Sequence, residues 1–164
     1  MEEDQKYEMF AAYGVAVEYP AGWNLDVRVL KRERGVVSFK SGVDENSFTL
    51  TWSPLKEVRK KFSSPEEHVE KVLEGFKSKS GVKELEVLEK KELIVNGHEA
   101  VLVRVRAKLK VSLFSRTWLL SNIQALYVHC DESDRCLVAY SVNPSQENML
   151  VKTFEHVVSS IKCH

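Results

Sequence analysis

The sequence predicts an α+β fold in which an antiparallel β-sheet is flanked by helices as an α/β/α sandwich, in the order ββββ-α-ββββ-α. Three observations predict it. Two blocks of short strands are each followed by an amphipathic helix. Tight turns join successive strands, which demands antiparallel neighbours, because a parallel pair needs a long crossover. No linker, repeat or low-complexity segment divides the 164 residues, so residues 1–164 are expected to form one domain, with residues 1–12 weakly ordered.

The first strand lies in Tyr13–Trp23, YGVAVEYPAGW. Pro20 has no N–H for a sheet ladder and stops the strand or confines it to an edge. Gly22 supplies the freedom for a tight turn, and Trp23 follows as a large apolar plug. Leu25–Leu30 and Val36–Lys40 read as the next two strands, with Arg32–Gly35 as the turn between them. After a turn at Asp44–Asn46, Phe48, Leu50 and Trp52 alternate with Ser47, Thr49 and Thr51, the pattern of a half-buried strand. Ser53-Pro54 closes the block, and the charged residues 55–63 form a surface connection.

Ser64-Pro65-Glu66-Glu67 marks a helix start: Ser64 as N-cap, Pro65 at the first helical position, Glu67 completing a capping box. Val69, Val72, Leu73 and Phe76 then fall on one helical face, and Gly81 is a plausible terminator. Residues 84–95 form a strand, and Asn96-Gly97 favours a type I′ hairpin. The returning strand puts Val101, Val103, Val105 and Ala107 on one face and Leu102, Arg104, Arg106 and Lys108 on the other. Val111–Arg116 breaks the alternation and makes the hairpin tip or a bulge. Trp118–Val128 is apolar on both faces, as a central strand should be. Asp131–Asp134 turns the chain into the strand Cys136–Val142. Asn143-Pro144-Ser145-Gln146 repeats the helix-start pattern, and Leu150, Phe154, Val157, Val158 and Ile161 follow at helical spacing.

This order, with Tyr19-Pro20-Ala21-Gly22-Trp23 at its start, the Asn96–Ala100 hairpin and an amphipathic helix after Asn143-Pro144, resembles the PsbP-like fold family over residues 13–161. That family includes the extrinsic subunit of photosystem II and a Ran nucleotide-release factor. The resemblance implies an accessory or binding protein without a shared catalytic motif. Fold analogy does not transfer either named function.

Charge argues the same way. Basic and acidic residues number 24 each, and a nucleic-acid binder usually carries a basic excess, so no nucleic acid is expected. Hydrophobic residues at 43% and charged residues at 29% fit a globular chain. The acidic start, MEEDQKYEMF, does not read as a signal peptide, and the apolar run near Trp118 is broken by Ser121, Asn122 and Gln124. A cytoplasmic protein without a membrane span is expected, unless a leader has been removed. Abundant Lys and Glu with scarce Gln hints at a thermophilic source.

The candidate partner-binding residues are Arg104, Arg106, Lys108, Phe114 and Arg116. The first three, with Lys110, lie two apart on a strand and aim one way, offering a cationic stripe to an acidic protein partner or a phosphate. The competing reading is a solvated face, or pairing with Glu89 and Glu92 on the preceding strand. No aromatic residues interleave with these charges, which disfavours single-stranded nucleic acid. Val111, Leu113 and Phe114 either mark a contact surface at the tip or fold back over the sheet.

His129, Cys130 and Cys136 flank one turn and are residue types that suit zinc, although C-x₅-C is not a zinc-ligand spacing. The two thiols equally fit a cross-strand disulfide or small core side chains. Three cysteines do not make a secreted disulfide framework. Trp23, Trp52 and Trp118 either line a ligand cavity, making the chain a carrier of a small apolar molecule, or pack the core. His68 and His156 are expected on exposed helix faces. No nucleophile elbow, zinc-protease, P-loop or dinucleotide motif appears, so no cofactor and no catalytic residue is expected. An enzyme of unrecognised type stands as the last reading.

Overall fold

In the computed structural model, which describes residues 4–44, 46–112, 114, 116–143 and 148–163, the first block holds five strands rather than four. They are β1 Tyr7–Ala12, β2 Val15–Pro20, β3 Asn24–Lys31, β4 Arg34–Lys40 and β5 Ser47–Pro54. A one-turn helix α1, Leu55–Val58, and a longer α2, Pro65–Lys77, follow. The second block is β6 Val82–Val95, β7 His98–Lys110, β8 Trp118–Cys130 and β9 Arg135–Asn143, closed by α3, Asn148–Ser159. The segment expected to be weakly ordered therefore contributes β1, which pairs along its length with β2. Its alternation was masked in the sequence by charged and exposed positions.

Seven strands form one sheet in the order β3-β4-β5-β9-β8-β7-β6, and every pairing is antiparallel. β1 and β2 make a separate two-stranded sheet. Alternation along the strands sorts side chains onto two faces. On one face Leu50, Trp52, Leu126, Val128 and Leu137 are buried with Val15 and Val17 of β2 and Phe154, Val157 and Val158 of α3. On the other, Val101, Val103, Val105, Ala125 and Tyr127 are buried with Val69 of α2. β8 lies between β7 and β9 with apolar layers on both sides, which is why its sequence does not alternate.

The opening corner behaves as its residues require. Pro20 ends β2, Gly22 takes a left-handed φ of 84°, and the Trp23 N–H closes the turn on the Pro20 carbonyl at 3.2 Å. Trp23 is only half-buried and packs on Phe48, with ring centroids 5.8 Å apart. The Asn96-Gly97 hairpin has φ of 47° and 86°, the two positive angles a type I′ turn needs. Asn96 also donates its side-chain amide to the Ile161 carbonyl at 2.5 Å, tying this hairpin to the chain beyond α3.

α2 starts at the expected place but with a different reciprocal contact. The Glu67 N–H donates to Ser64 Oγ at 3.1 Å, while the Glu67 carboxylate accepts from the Ser63 N–H at 2.9 Å rather than from Ser64. The buried stripe is also shorter than expected and confined to the start of the helix. Pro65, His68 and Val69 face inward, whereas Val72 is exposed. Leu55, in the stretch expected to be a surface connection, is buried at the start of α1. The second helix start at Asn143–Gln146 reaches beyond the described residues, since 144–147 lie outside them. No described helix is long and apolar enough to cross a membrane.

Candidate functional site

Two places concentrate the polar and exposed groups singled out above: the far end of the β7–β8 hairpin, and the region around the β8–β9 turn. At the first, Arg104, Arg106, Lys108 and Lys110 share one face of β7, as a continuous strand requires. Most are engaged within the protein. Arg104 donates to Glu89 of β6 at 2.7 Å and to Glu155 of α3 at 2.9 Å, clamping the helix to the sheet. Arg106 donates to Asn122 on β8 at 3.4 Å, and Lys108 pairs with Glu84 at 2.8 Å. The cationic stripe is thus largely neutralised by its own fold, and pairing to Glu89 is as the sequence allowed. Glu92 instead meets Glu66 of α2. One proton held between the two carboxyls pushes Glu92 up and Glu66 down from the usual glutamate range.

Beyond Lys108 the hairpin changes character. Lys83 and Lys110 sit over the Trp118 ring at 5.7 and 5.8 Å, the distances of cation–π contacts. Phe114 is 98% exposed, and Val111, Leu119 and Leu120 are each about half exposed, the two leucines on opposite faces of β8. Arg116 is exposed beside them. Leu113 lies outside the described residues. Trp118 therefore serves this surface, whereas Trp52 is a core residue whose Nε1 donates to the Arg32 carbonyl at 3.2 Å. The three tryptophans do not meet in one cavity. A groove does run between the start of α2 and the β6–β7 hairpin, but Glu66, Glu92 and Glu99 stand at its walls beside Leu93 and Val101.

At the second place the structure separates the three weak metal candidates. His129 and Cys130 are neighbours on β8 and point to opposite faces. Cys130 is bonded to Cys163, just past α3, and not to Cys136 across the turn. Cys136 is directly opposite His129 in the β8–β9 ladder and remains a buried free thiol. The place that Cys130 leaves is taken by a residue from another element. The buried start of α2 carries His68 inward until its Nδ1 lies 3.3 Å from His129 Nε2 and 3.9 Å from Cys136 Sγ.

Burial and aromatic packing favour the uncharged forms of this cluster. Phe62 stacks on the His68 ring at 4.5 Å, and Tyr127 meets it edge-on at 4.8 Å. Burial holds the His68 imidazole down to about 4. Burial does the same to His129, with the nearby His68 and Arg59 adding to the effect. The Cys136 thiol is pushed up to about 12 by burial, and the Tyr127 hydroxyl likewise, helped by Cys136 and Tyr140. Arg59 is paired with Asp131 at the rim, so its charge is balanced there. His129 Nδ1 is buried without a hydrogen-bond partner among the described residues. His156, the other histidine expected to be exposed, is partly covered: it stacks on Tyr7 and hydrogen-bonds Glu18 at 2.6 Å.

The chain has the PsbP-like α+β fold, as its likeness to solved structures shows. Cyanobacterial PsbP (CyanoP) from Synechocystis sp. PCC 6803 is similar over 99% of this chain and 95% of its own, with a TM-score of 0.66 at 12% identity. The Ran-binding protein Mog1p of Saccharomyces cerevisiae matches 98% of this chain and 96% of its own, with a TM-score of 0.62 at 13% identity. At such identities the likeness defines the fold and no more. No protein-family model matches the chain, and no curated protein matches it by sequence.

Proposed function

We propose that this chain is a non-enzymatic accessory module that binds a protein partner through the far end of its β7–β8 hairpin. The observation that carries the reading is the near-complete exposure of Phe114 in the β7–β8 connection, where Val111 and Arg116 are exposed as well. An exposed aromatic in a segment that also exposes aliphatic and basic groups is the composition of a binding hot spot with a polar rim. The partner surface it fits is an apolar notch bordered by carboxylates. Arg104 and Arg106 support that hairpin from within, through Glu89, Glu155 and Asn122, instead of meeting the partner. Both structural neighbours are compatible with this class, and one of them carries Ran binding in its name.

The test is capture from extract of the source cells by the immobilised full chain, run beside Phe114→Ser and Arg116→Ala variants. A reproducible partner retained by the parent chain and released by either substitution supports the proposal. A partner retained equally by all three moves the interface elsewhere. Recovery of no partner, together with turnover of a substrate panel, overturns the non-enzymatic reading.

A further inference from the structure

We propose that His68, His129 and Cys136 form a zinc site that clips α2 onto the β8–β9 turn. The three side chains come from three elements and converge at one buried point, with their ligand atoms all within 4.8 Å of one another. A tetrahedral zinc with Zn–N near 2.05 Å and Zn–S near 2.3 Å requires ligand edges of about 3.3 Å between nitrogens and about 3.6 Å between nitrogen and sulfur. The two edges described above are 3.3 and 3.9 Å. The imidazole contact, a hydrogen bond in the metal-free protein, thus already has the nitrogen–nitrogen spacing of a tetrahedral zinc site. The remaining edge, between His129 and Cys136 across the β8–β9 pair, lies within 4.8 Å.

The chemistry of the donors agrees. Two imidazoles and a thiolate are borderline-soft ligands that favour zinc over calcium or magnesium. Each imidazole can take the tautomer that presents its lone pair to the site, with the remaining proton on His68 Nε2 and His129 Nδ1. The Cys136 thiol gives up its proton to solvent as the Zn–S bond forms, which releases one proton per metal bound. That thiolate also offsets half of the charge brought into the site. Three protein ligands leave one tetrahedral position for a water or an external group, reached past His68, the least buried of the three. The second grouping of this kind, His98 with Cys130 and Cys163, cannot compete while those cysteines are bonded to each other.

The experiment uses the full chain, stripped with a chelator and kept oxidised, titrated with Co²⁺ as a spectroscopic stand-in and then with Zn²⁺. The expected result is one equivalent of Co²⁺ with a thiolate-to-metal absorption band and tetrahedral d–d bands, displaced by Zn²⁺. One proton is released per metal. Cys136→Ser removes the thiolate band, and His68→Gln weakens binding by more than the ~100-fold that loss of an outer-shell partner costs. Should one variant fail to fold, the other still decides. Absence of stoichiometric binding by the parent chain overturns the site. So does a thiolate band that persists in Cys136→Ser, or binding undiminished in His68→Gln.

Discussion

Gly35 lies directly under the indole of Trp52: a Cβ at residue 35 would stand 2.8 Å from Cη2 and 2.9 Å from Cε2 of that ring. The two residues are cross-strand partners on β4 and β5, and Trp52 is 1% exposed. The indole cannot swing away without losing its bond to the Arg32 carbonyl. Gly35→Ala should therefore destabilise the protein by about 1–3 kcal/mol through overpacking. Gly75 in α2 has nothing within 4 Å of its virtual Cβ. Gly75→Ala should instead stabilise by about 0.5–1 kcal/mol. Urea midpoints of the two variants, moving in opposite directions, check both statements.

Arg104 is the joint between β6, β7 and α3. Its partners Glu89 and Glu155 are partly solvated, so each pair contributes only ~0.2–1 kcal/mol. Arg104→Ala also loses the packing of the side-chain stem, for a total of roughly 1–2 kcal/mol. A double-mutant cycle with Glu155→Gln should return a positive coupling energy that shrinks as salt is added. A coupling of zero would mean that α3 is held by its apolar face alone.

The Cys130–Cys163 bond closes a loop spanning 33 residues of sequence, including β9 and α3. Cross-links of that span stabilise by about 3–4 kcal/mol in the chain-entropy picture. Reductant, or Cys163→Ser, should lower the urea midpoint accordingly while Cys136 stays unreactive until the protein unfolds. Peptide mapping of the alkylated, unreduced chain should recover Cys136 as the only labelled cysteine under denaturing conditions.

Metal-free protein should lose stability on acidification in a defined window. His68 and His129 bind protons near pH 6.5 when unfolded but only near about 4 when folded. Between these values the unfolded state holds more protons, so stability rises with pH across the window. The contribution is complete above about pH 7 and is lost as pH falls toward 4. Each pKa unit corresponds to about 1.4 kcal/mol, which makes the acid limb a matter of a few kcal/mol. Denaturant midpoints between pH 4 and 7.5 should show a slope that His68→Gln reduces. A flat profile contradicts the buried, neutral pair.

Much of the fold was legible because its cues are local. Ser64-Pro65 starts α2, Asn96-Gly97 turns β6 into β7, and Phe48, Leu50 and Trp52 alternate into the core. Tyr7–Ala12 was not legible, since only Tyr7, Phe10 and Ala12 are partly covered and the strand exists by pairing with β2. The site was harder still. His68 and Val72 lie one turn apart on the same helix face, and apolarity favoured Val72. Which turn of that face is covered depends on the pocket supplied by His129 and Cys136, residues more than 60 positions away. The partner of Cys130 was hidden for the same reason. Strand alternation separates Cys130 from Cys136, but only the path of α3 delivers Cys163.

Ala16 and Lys162 exchange both backbone hydrogen bonds, at 2.8 and 2.9 Å. The β1–β2 ribbon is otherwise an isolated pair of strands, which has little stability by itself. The β1–β2 ribbon therefore waits for the segment around Lys162 before it can dock. Such a sequence-distant closure raises contact order and slows the final step of folding. On the ribosome, the core strands β4 and β5 stay uncapped on the α3 side until the C-terminal segment emerges. Pulsed hydrogen exchange during refolding should find the amides of β2 among the last to gain protection, after those of β7 and β8.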